Sequence, residues 1–238
     1  MRERLLAWYA EHGRDLPWRR TRDPYAILVS EVMLQQTQVA RVVPRYLEWL
    51  ERWPTAEALE AATPAEVIVA WQGLGYNRRA VNLHRAARIV AAEGWPEDLT
   101  ELPGVGSYTA DAVRAFAFGD RVLPADTNVL RVQARTGFAF DHECAQALFD
   151  LGREVCLARR PRCDACPLAA ACPSRGMRFA PARKQGPFEG SFRQRRARTL
   201  RSVAAAPQPV GELDAEAVRS LAGDGLVSVR DGLARLPE

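Results

Sequence analysis

The sequence predicts an all-α fold over most of its length. Three observations carry that prediction: apolar residues recur at helical spacing, helix-start and helix-stop signals punctuate the chain, and no alternating strand pattern of useful length occurs before residue 225. Leu5, Leu6, Trp8 and Tyr9 form one helical face, and Val42, Val43, Tyr46, Leu47 and Leu50 another. Asp23 before Pro24 gives a capping side chain followed by proline at the first helical position. The run YAILVSEVMLQQ that follows is apolar in almost every direction, which predicts a buried central helix over 24–36. Thr63 and Pro64 open a further helix, ended by Gly73 to Gly75. Residues 174–194, rich in Pro, Arg, Gly and Ser, read as a linker. Beyond it come two short helical stretches, near 195–205 and 213–222, and a hairpin turning at Asp231-Gly232. Helix, helix, hairpin predicts a small winged-helix-like tail, or else a cap packed on the main domain.

A chain of 238 residues, 47% hydrophobic, can bury a sizeable core in one or two domains. No run of 18 or more apolar residues occurs, so no membrane span is expected. The N-terminus is too charged for a secretory leader, and a cytoplasmic protein is expected. The net charge of +4 permits a nucleic-acid partner without demanding one. Lys184 is the one lysine among 33 basic residues. Arginine favours bidentate phosphate contacts, although a GC-rich coding sequence enriches it too.

Four cysteines cluster as C-x6-C-x2-C-x5-C: Cys156, Cys163, Cys166 and Cys172. Outside an oxidising compartment such a cluster suits zinc or an iron–sulfur centre better than disulfides. Zinc sites usually pair two short knuckles and only one is present here, which favours iron–sulfur. Cys144 lies outside the pattern and reads as a core or surface thiol. Between the first two cysteines, Arg159, Arg160 and Arg162 form either a phosphate clamp or a solvated loop.

Residues 102–113, LPGVGSYTADAV, set a tight turn between helical stretches. Gly104 and Gly106 free the backbone, Val105 lies between them, and Ser107 can cap the next helix. Backbone amides in such a turn favour an anion. Glu31 falls in the apolar helix, where burial favours the protonated acid, and Asp126 opens a later helix. An acid and a carboxylate together suit cleavage of a glycosidic bond. Read alone, Glu31 can equally be an edge residue and Asp126 a helix cap.

These motifs, in this order and at these separations, resemble the helix-hairpin-helix DNA glycosylases, and among them the adenine glycosylases of the MutY type. The cysteine spacing matches that of the endonuclease III and MutY proteins, where four cysteines hold a [4Fe–4S] cluster. LPGVG resembles the hairpin that grips a DNA phosphate without reading sequence. SEVMLQQTQVA places Glu31 on the general acid. DTN places Asp126 on the carboxylate that stabilises the sugar cation, with Asn128 beside it. Tyr108 stands where MutY proteins carry tyrosine or serine and endonuclease III its catalytic lysine. RDLPWR places Arg14, Leu16 and Trp18 around the adenine, and Gln146 on the residue reading its edge. GLGY places Tyr76 on the intercalating wedge, and Gln35 and Gln36 match residues that contact the opposing base or fill the gap left by flipping.

The resemblance covers roughly residues 5–180 and implies two helical subdomains with the active-site cleft between them. It assigns 1–22 with 127–180 to the cluster-bearing subdomain, 23–126 to a six-helix subdomain with the hairpin, and 181–238 to a linker and small appendage. Three departures stand out. Thr127 replaces the glycine of the usual motif, the segment between Arg135 and Gln146 is short, and too few residues follow the cysteines for a Nudix-like domain. FEGSFRQRRAR at 188–198 resembles the tail of shorter bacterial members. The expected activity is monofunctional removal of adenine mispaired with 8-oxoguanine or guanine, by a monomer acting on double-stranded DNA and associated with a bacterial nucleoid. A thymine or uracil mismatch glycosylase of the same superfamily, and a non-catalytic DNA-binding iron–sulfur module, are the alternatives.

Overall fold

The structure, a computed structural model, describes residues 1–179 and 186–238. Lys184 and the middle of the expected linker lie outside the described residues. In chain order the helices are α1 (Arg2–His12), α2 (Pro24–Leu34), α3 (Val39–Arg52), α4 (Ala56–Glu60), α5 (Pro64–Ala70), α6 (Arg78–Glu93), α7 (Ser107–Val113), α8 (Thr127–Thr136), α9 (Ala145–Glu154), α10 (Phe192–Ala205) and α11 (Ala215–Gly223). The short strands β1 (Gln208–Pro209), β2 (Ser228–Arg230) and β3 (Leu233–Arg235) form an antiparallel sheet in the order β1-β3-β2. Among the described residues no helix is long and apolar enough to cross a membrane.

The local signals act as the chemistry requires. Asp23 Oδ1 accepts from the Tyr25 amide at 3.0 Å, opening α2. Thr63 and Glu66 close a reciprocal capping box around the start of α5. α2 ends two residues short of the predicted limit, because Gln36 turns into the left-handed region at φ 56°. The hairpin turn has φ 53° at Asp231 and 73° at Gly232, the pair of positive values a type I′ turn needs. β1, too short to leave a pattern, was not anticipated.

The chain divides into two compact units, residues 1–27 with 107–179 and residues 28–106 with 186–238. The divisions at 27/28 and 106/107 differ from the expected 22/23 and 126/127, so α7 and the loop before α8 join the first unit. That unit packs Leu5 of α1, Val129 and Val132 of α8, and Leu148 and Leu151 of α9 into one core with Cys144 and Leu168. α8 and α9 approach closely enough that a Cβ on Gly152 would meet the Asn128 Cβ at 2.6 Å.

In the second unit Trp49 meets Trp53 and Trp71 edge-on at 4.7 and 5.5 Å. Its tail is not a free appendage. Leu200 and Val203 of α10, Leu221 of α11, Leu226, Val227 and Ala234 share a core with Ile68 of α5. Helix, helix and hairpin are all present, with β1 added on the far side of β3.

Candidate functional site

In the second unit the site is built on α2 and the turn after it. Glu31 is 6% exposed, on a helix whose Ile27, Val29, Val32 and Met33 are equally buried. At the end of α2 sits Arg79 of α6, 9% exposed. Its guanidinium donates to the carbonyls of Val32 (2.7 Å), Met33 (3.0 Å) and Gln35 (2.7 Å), which α2 leaves unpaired. It also donates to Leu74 O (3.2 Å), Gly75 O (2.9 Å) and Thr37 Oγ1 (3.1 Å), and it lies against the Trp71 and Tyr76 rings. Burial lowers the Arg79 pKa to about 10, against the pull of Tyr76 upward. One buried cation thus fixes two segments: 35–37, with Gln36 in a left-handed conformation, and 73–76, with Gly73, Gly75 and Tyr76 all at positive φ. Tyr76 is held at φ 47° and is 43% exposed, a strained residue presented to solvent. Arg79 is a residue that sequence reasoning missed. A lone arginine on the buried face of α6, three residues after GLGY, was the available signal.

The hairpin follows the same logic. Gly104 has φ 80°, and a Cβ there would meet the Asn82 side chain at 2.8 Å, so only glycine fits. Val105 is buried, and Gly106 and Ser107 are exposed at the start of α7.

In the first unit Asp126 caps α8. Its Oδ1 accepts from the amides of Asn128 and Val129, both at 2.8 Å, and its Oδ2 accepts from Asn128 Nδ2 at 2.6 Å. Asn128 Oδ1 in turn accepts from Arg131 at 2.7 Å, and Arg131 donates to Cys156 O and Gly152 O. A single chain of hydrogen bonds therefore links the Asp126 carboxylate to the cysteine segment. Tyr108 is partly exposed on α7, edge-on to Phe149 at 6.3 Å.

Arg14 and Arg19 converge on Asp150 of α9, a carboxylate that sequence reasoning missed and that is fully buried. Arg14 Nε donates at 2.7 Å and its amide at 3.0 Å, and Arg19 donates twice, at 2.8 and 2.9 Å. Burial alone would raise the Asp150 carboxyl. The hydrogen bonds from Arg19 and Arg14 outweigh it and hold the group below the usual carboxylate range. This ion cluster shapes the RDLPWR turn, where Leu16 and Trp18 are buried, and Gln146 lies one helical turn before Asp150.

The four clustered cysteines line one pocket, together with Val132, Leu151 and Leu168. Arg135 of α8, 6% exposed, donates to Cys156 Sγ at 3.4 Å and to the carbonyls of Leu157 and Ala158 at 2.7 and 2.6 Å. The Gly176 amide donates to Cys163 Sγ at 3.3 Å. Burial raises the Cys166 thiol pKa, and the nearness of Cys156, Cys172 and Cys163 raises it further. Four sulfurs around one pocket, met by amide and guanidinium donors, fit a group that binds thiolates. Among the described residues no three metal-ligating side chains close on a single point. Cys144 lies apart, in the core of its unit, with its thiol raised to about 11 by burial and by Asp141. Arg159, Arg160 and Arg162 face solvent on the loop. The i,i+4 pair Arg131 and Arg135, set among buried valines, was the sequence signal for this clasp.

Comparison with known proteins adds to this geometry. Residues 29–153 match the family model described as HhH-GPD superfamily base excision DNA repair protein. The chain is 42% identical to the adenine DNA glycosylase of Mycobacterium tuberculosis, over 98% of this chain and 92% of that protein. It is 41% identical to that of Mycolicibacterium smegmatis, over 94% and 91%. To the human adenine DNA glycosylase it is 39% identical, over 72% of this chain and 38% of that one. Among solved structures, a thermostable thymine-DNA glycosylase superposes with a TM-score of 0.65 at 27% identity, covering 72% of this chain and 93% of that one. A trapped endonuclease III–DNA covalent intermediate shares the fold, with a TM-score of 0.62 at 24% identity over 72% and 92%.

Proposed function

We infer from the chain's membership of the HhH-GPD superfamily of base excision DNA repair proteins that it is an adenine DNA glycosylase, hydrolysing the N-glycosidic bond of a mispaired adenine. Double-stranded DNA is its substrate, with the adenine opposite 8-oxoguanine or guanine, and the chain acts as a monomer. The observation that carries adenine over a pyrimidine is Glu31. It is a carboxyl group 6% exposed on a largely buried helix, and adenine is a leaving group that needs a proton.

In this reading the flipped adenine takes a proton from Glu31 onto a ring nitrogen as the C1′–N bond breaks, and the electron pair leaves with the base. The sugar gathers positive charge, which the Asp126 carboxylate stabilises. Asn128 holds the Asp126 carboxyl group aimed, through the hydrogen bond to Oδ2. Water adds to C1′ and loses its proton to the carboxylate that the reaction has left. Tyr108 offers no amine, so no Schiff base forms there and strand scission is not part of the activity. Arg14, Leu16, Trp18 and Gln146 receive the base. Tyr76 fills the gap, Gln35 and Gln36 face the orphaned partner, and Gly104 to Ser107 with Arg159, Arg160 and Arg162 hold phosphates.

The cysteine pocket suits a [4Fe–4S] cluster on Cys156, Cys163, Cys166 and Cys172. When bound, that cluster supplies a rigid anchor for the loop and for the Arg131–Asn128–Asp126 chain. Iron and sulfide analysis of the purified protein tests this, and one zinc with no iron contradicts it.

A second reading, excision of thymine or uracil from G:T or G:U, draws on the similarity to the thymine-DNA glycosylase. Product analysis on A:8-oxoguanine, A:G, G:T and G:U duplexes decides between the two. Free adenine from the first pair is expected, and thymine or uracil release alone overturns the adenine reading.

A further inference from the structure

The second unit holds a groove of about 980 Å³, one wall of which no step above uses. One wall is the 72–79 segment with Gln35 and Gln36, and the other is α10 of the tail with Phe188 before it. Arg41 and Arg78 line the first wall, and Arg193, Arg196 and Arg201 the second. The one acidic residue in the lining is Asp224, and it is already engaged, bonded to Arg196 at 2.5 Å and 3.6 Å from Arg78. Arg41 and Arg201 are exposed, and among the described residues neither has a carboxylate partner. Arg193 is spent on the Gly186 and Pro187 carbonyls and on the Phe188 ring, contacts that a stronger acceptor can displace. The groove is therefore strongly cationic, open and far longer than a single anion needs. It is also continuous with Tyr76, the strained aromatic.

We propose that this groove seats the sugar–phosphate backbone of the substrate duplex beside the point where Tyr76 enters it, so that the tail is a DNA-binding element. The proposal rests on the reading of DNA as substrate. Its physical basis is charge complementarity with a polyanion and continuity with the wedge. Guanidiniums from two walls grip phosphates without reading bases, which raises affinity on any duplex. Residues 186–238 then do mechanical work that their packing on Ile68 alone does not require.

The test is fluorescence-anisotropy titration of the full chain with a matched duplex and with one carrying an A:G mispair, over a range of salt. The variants are Arg193→Ala with Arg201→Ala, and Arg201→Ala and Arg201→Glu singly, at an exposed position that folding does not need. Each lost phosphate contact should lower the slope of log affinity against log salt by ~0.9, so the double variant should lose about two units of slope, equally on both duplexes. Arg201→Glu should weaken binding more than Arg201→Ala. An unchanged slope overturns the proposal, and so does weakening confined to the mispaired duplex, which would make the tail a base reader. Single-turnover excision at saturating enzyme is read separately. Loss of the slope in a chain that removes no adenine would sink the substrate reading and leave the groove assignment standing.

Discussion

Each unit of the chain carries one carboxylate of the proposed reaction, one within a buried helix and one at a helix start. Glu31 projects from a helix whose neighbours are valine, isoleucine and methionine, and it is 6% exposed. Asp126 is half-buried at a helix N-terminus, where two backbone amides and the Asn128 side chain donate to it. In the proposed reaction the first gives a proton to the leaving base and the second faces the sugar cation. The same functional group is thus given two roles at two positions of different local structure. A third carboxylate, Asp150, shows the other use of burial. Its charge is consumed by Arg14 and Arg19, leaving it a structural anchor.

The most direct way to break this comparison is to neutralise both members. Glu31→Gln should bind DNA as before and excise adenine at least ~10²–10⁴-fold more slowly, the range of a lost general acid. Asp126→Asn should lose a comparable factor, since the amide offers no negative charge to the sugar cation. It should also disturb the start of α8, because an amide NH2 in place of Oδ2 cannot accept from Asn128 Nδ2. Single-turnover kinetics with thermal unfolding separates the two effects. Near-normal excision by Glu31→Gln would remove the distinction between the carboxylates.

Asp150→Asn sharpens the contrast from the structural side. Breaking a buried ion cluster leaves two arginines without a counter-charge and should cost about 3–5 kcal/mol of stability. Because the folded carboxyl titrates below its usual range, its contribution is complete above the unfolded value of ~3.9 and fades as pH falls through the lower folded value. The stability gap between wild type and Asp150→Asn should therefore be full at neutral pH and close in acid below pH ~4. Urea unfolding across that range measures it, and a gap independent of pH would contradict the assignment.

Arg79 is the counterpart of Asp150 with the sign reversed, a buried cation satisfied by carbonyls rather than by an opposite charge. Arg79→Lys has three donors in place of five and should leave several acceptors unmet, costing about 1–3 kcal/mol. Its more telling consequence is on the wedge. With segments 35–37 and 73–76 released, KM should rise while the chemical step at saturation changes little. A loss confined to kcat would place Arg79 in the chemistry instead.

Much of this was legible in the sequence because it is local. Caps, turn glycines, the apolar helix α2 and the cysteine spacing are written within a few residues of where they act. Asp150 and Arg79 were not legible as partners, because the groups they bind lie 131–136 and up to 47 positions away. The unit boundary before α7 is equally hard to read: LPGVGSYTADAV reads as one motif, yet the division falls inside it, between Gly106 and Ser107.

The smallest expected effect concerns Cys144, in the same unit as the clustered cysteines but in a different environment. Cys144 packs against Leu5, Val132 and Leu148, and burial first, then Asp141, raises its thiol to about 11. At neutral pH it is a thiol, and a thiol is a poor metal ligand. The other four cysteines surround a pocket with donors aimed at two of their sulfurs. Cys144→Ser should therefore leave iron content unchanged and lower stability by roughly 1–3 kcal/mol, the cost of a hydroxyl in an apolar site. Cys163→Ser removes one of the four proposed ligands and should lower iron per chain. Equal iron loss in both variants would erase the boundary between core thiol and ligand. Unchanged iron in both would reject the pocket itself as the cluster site.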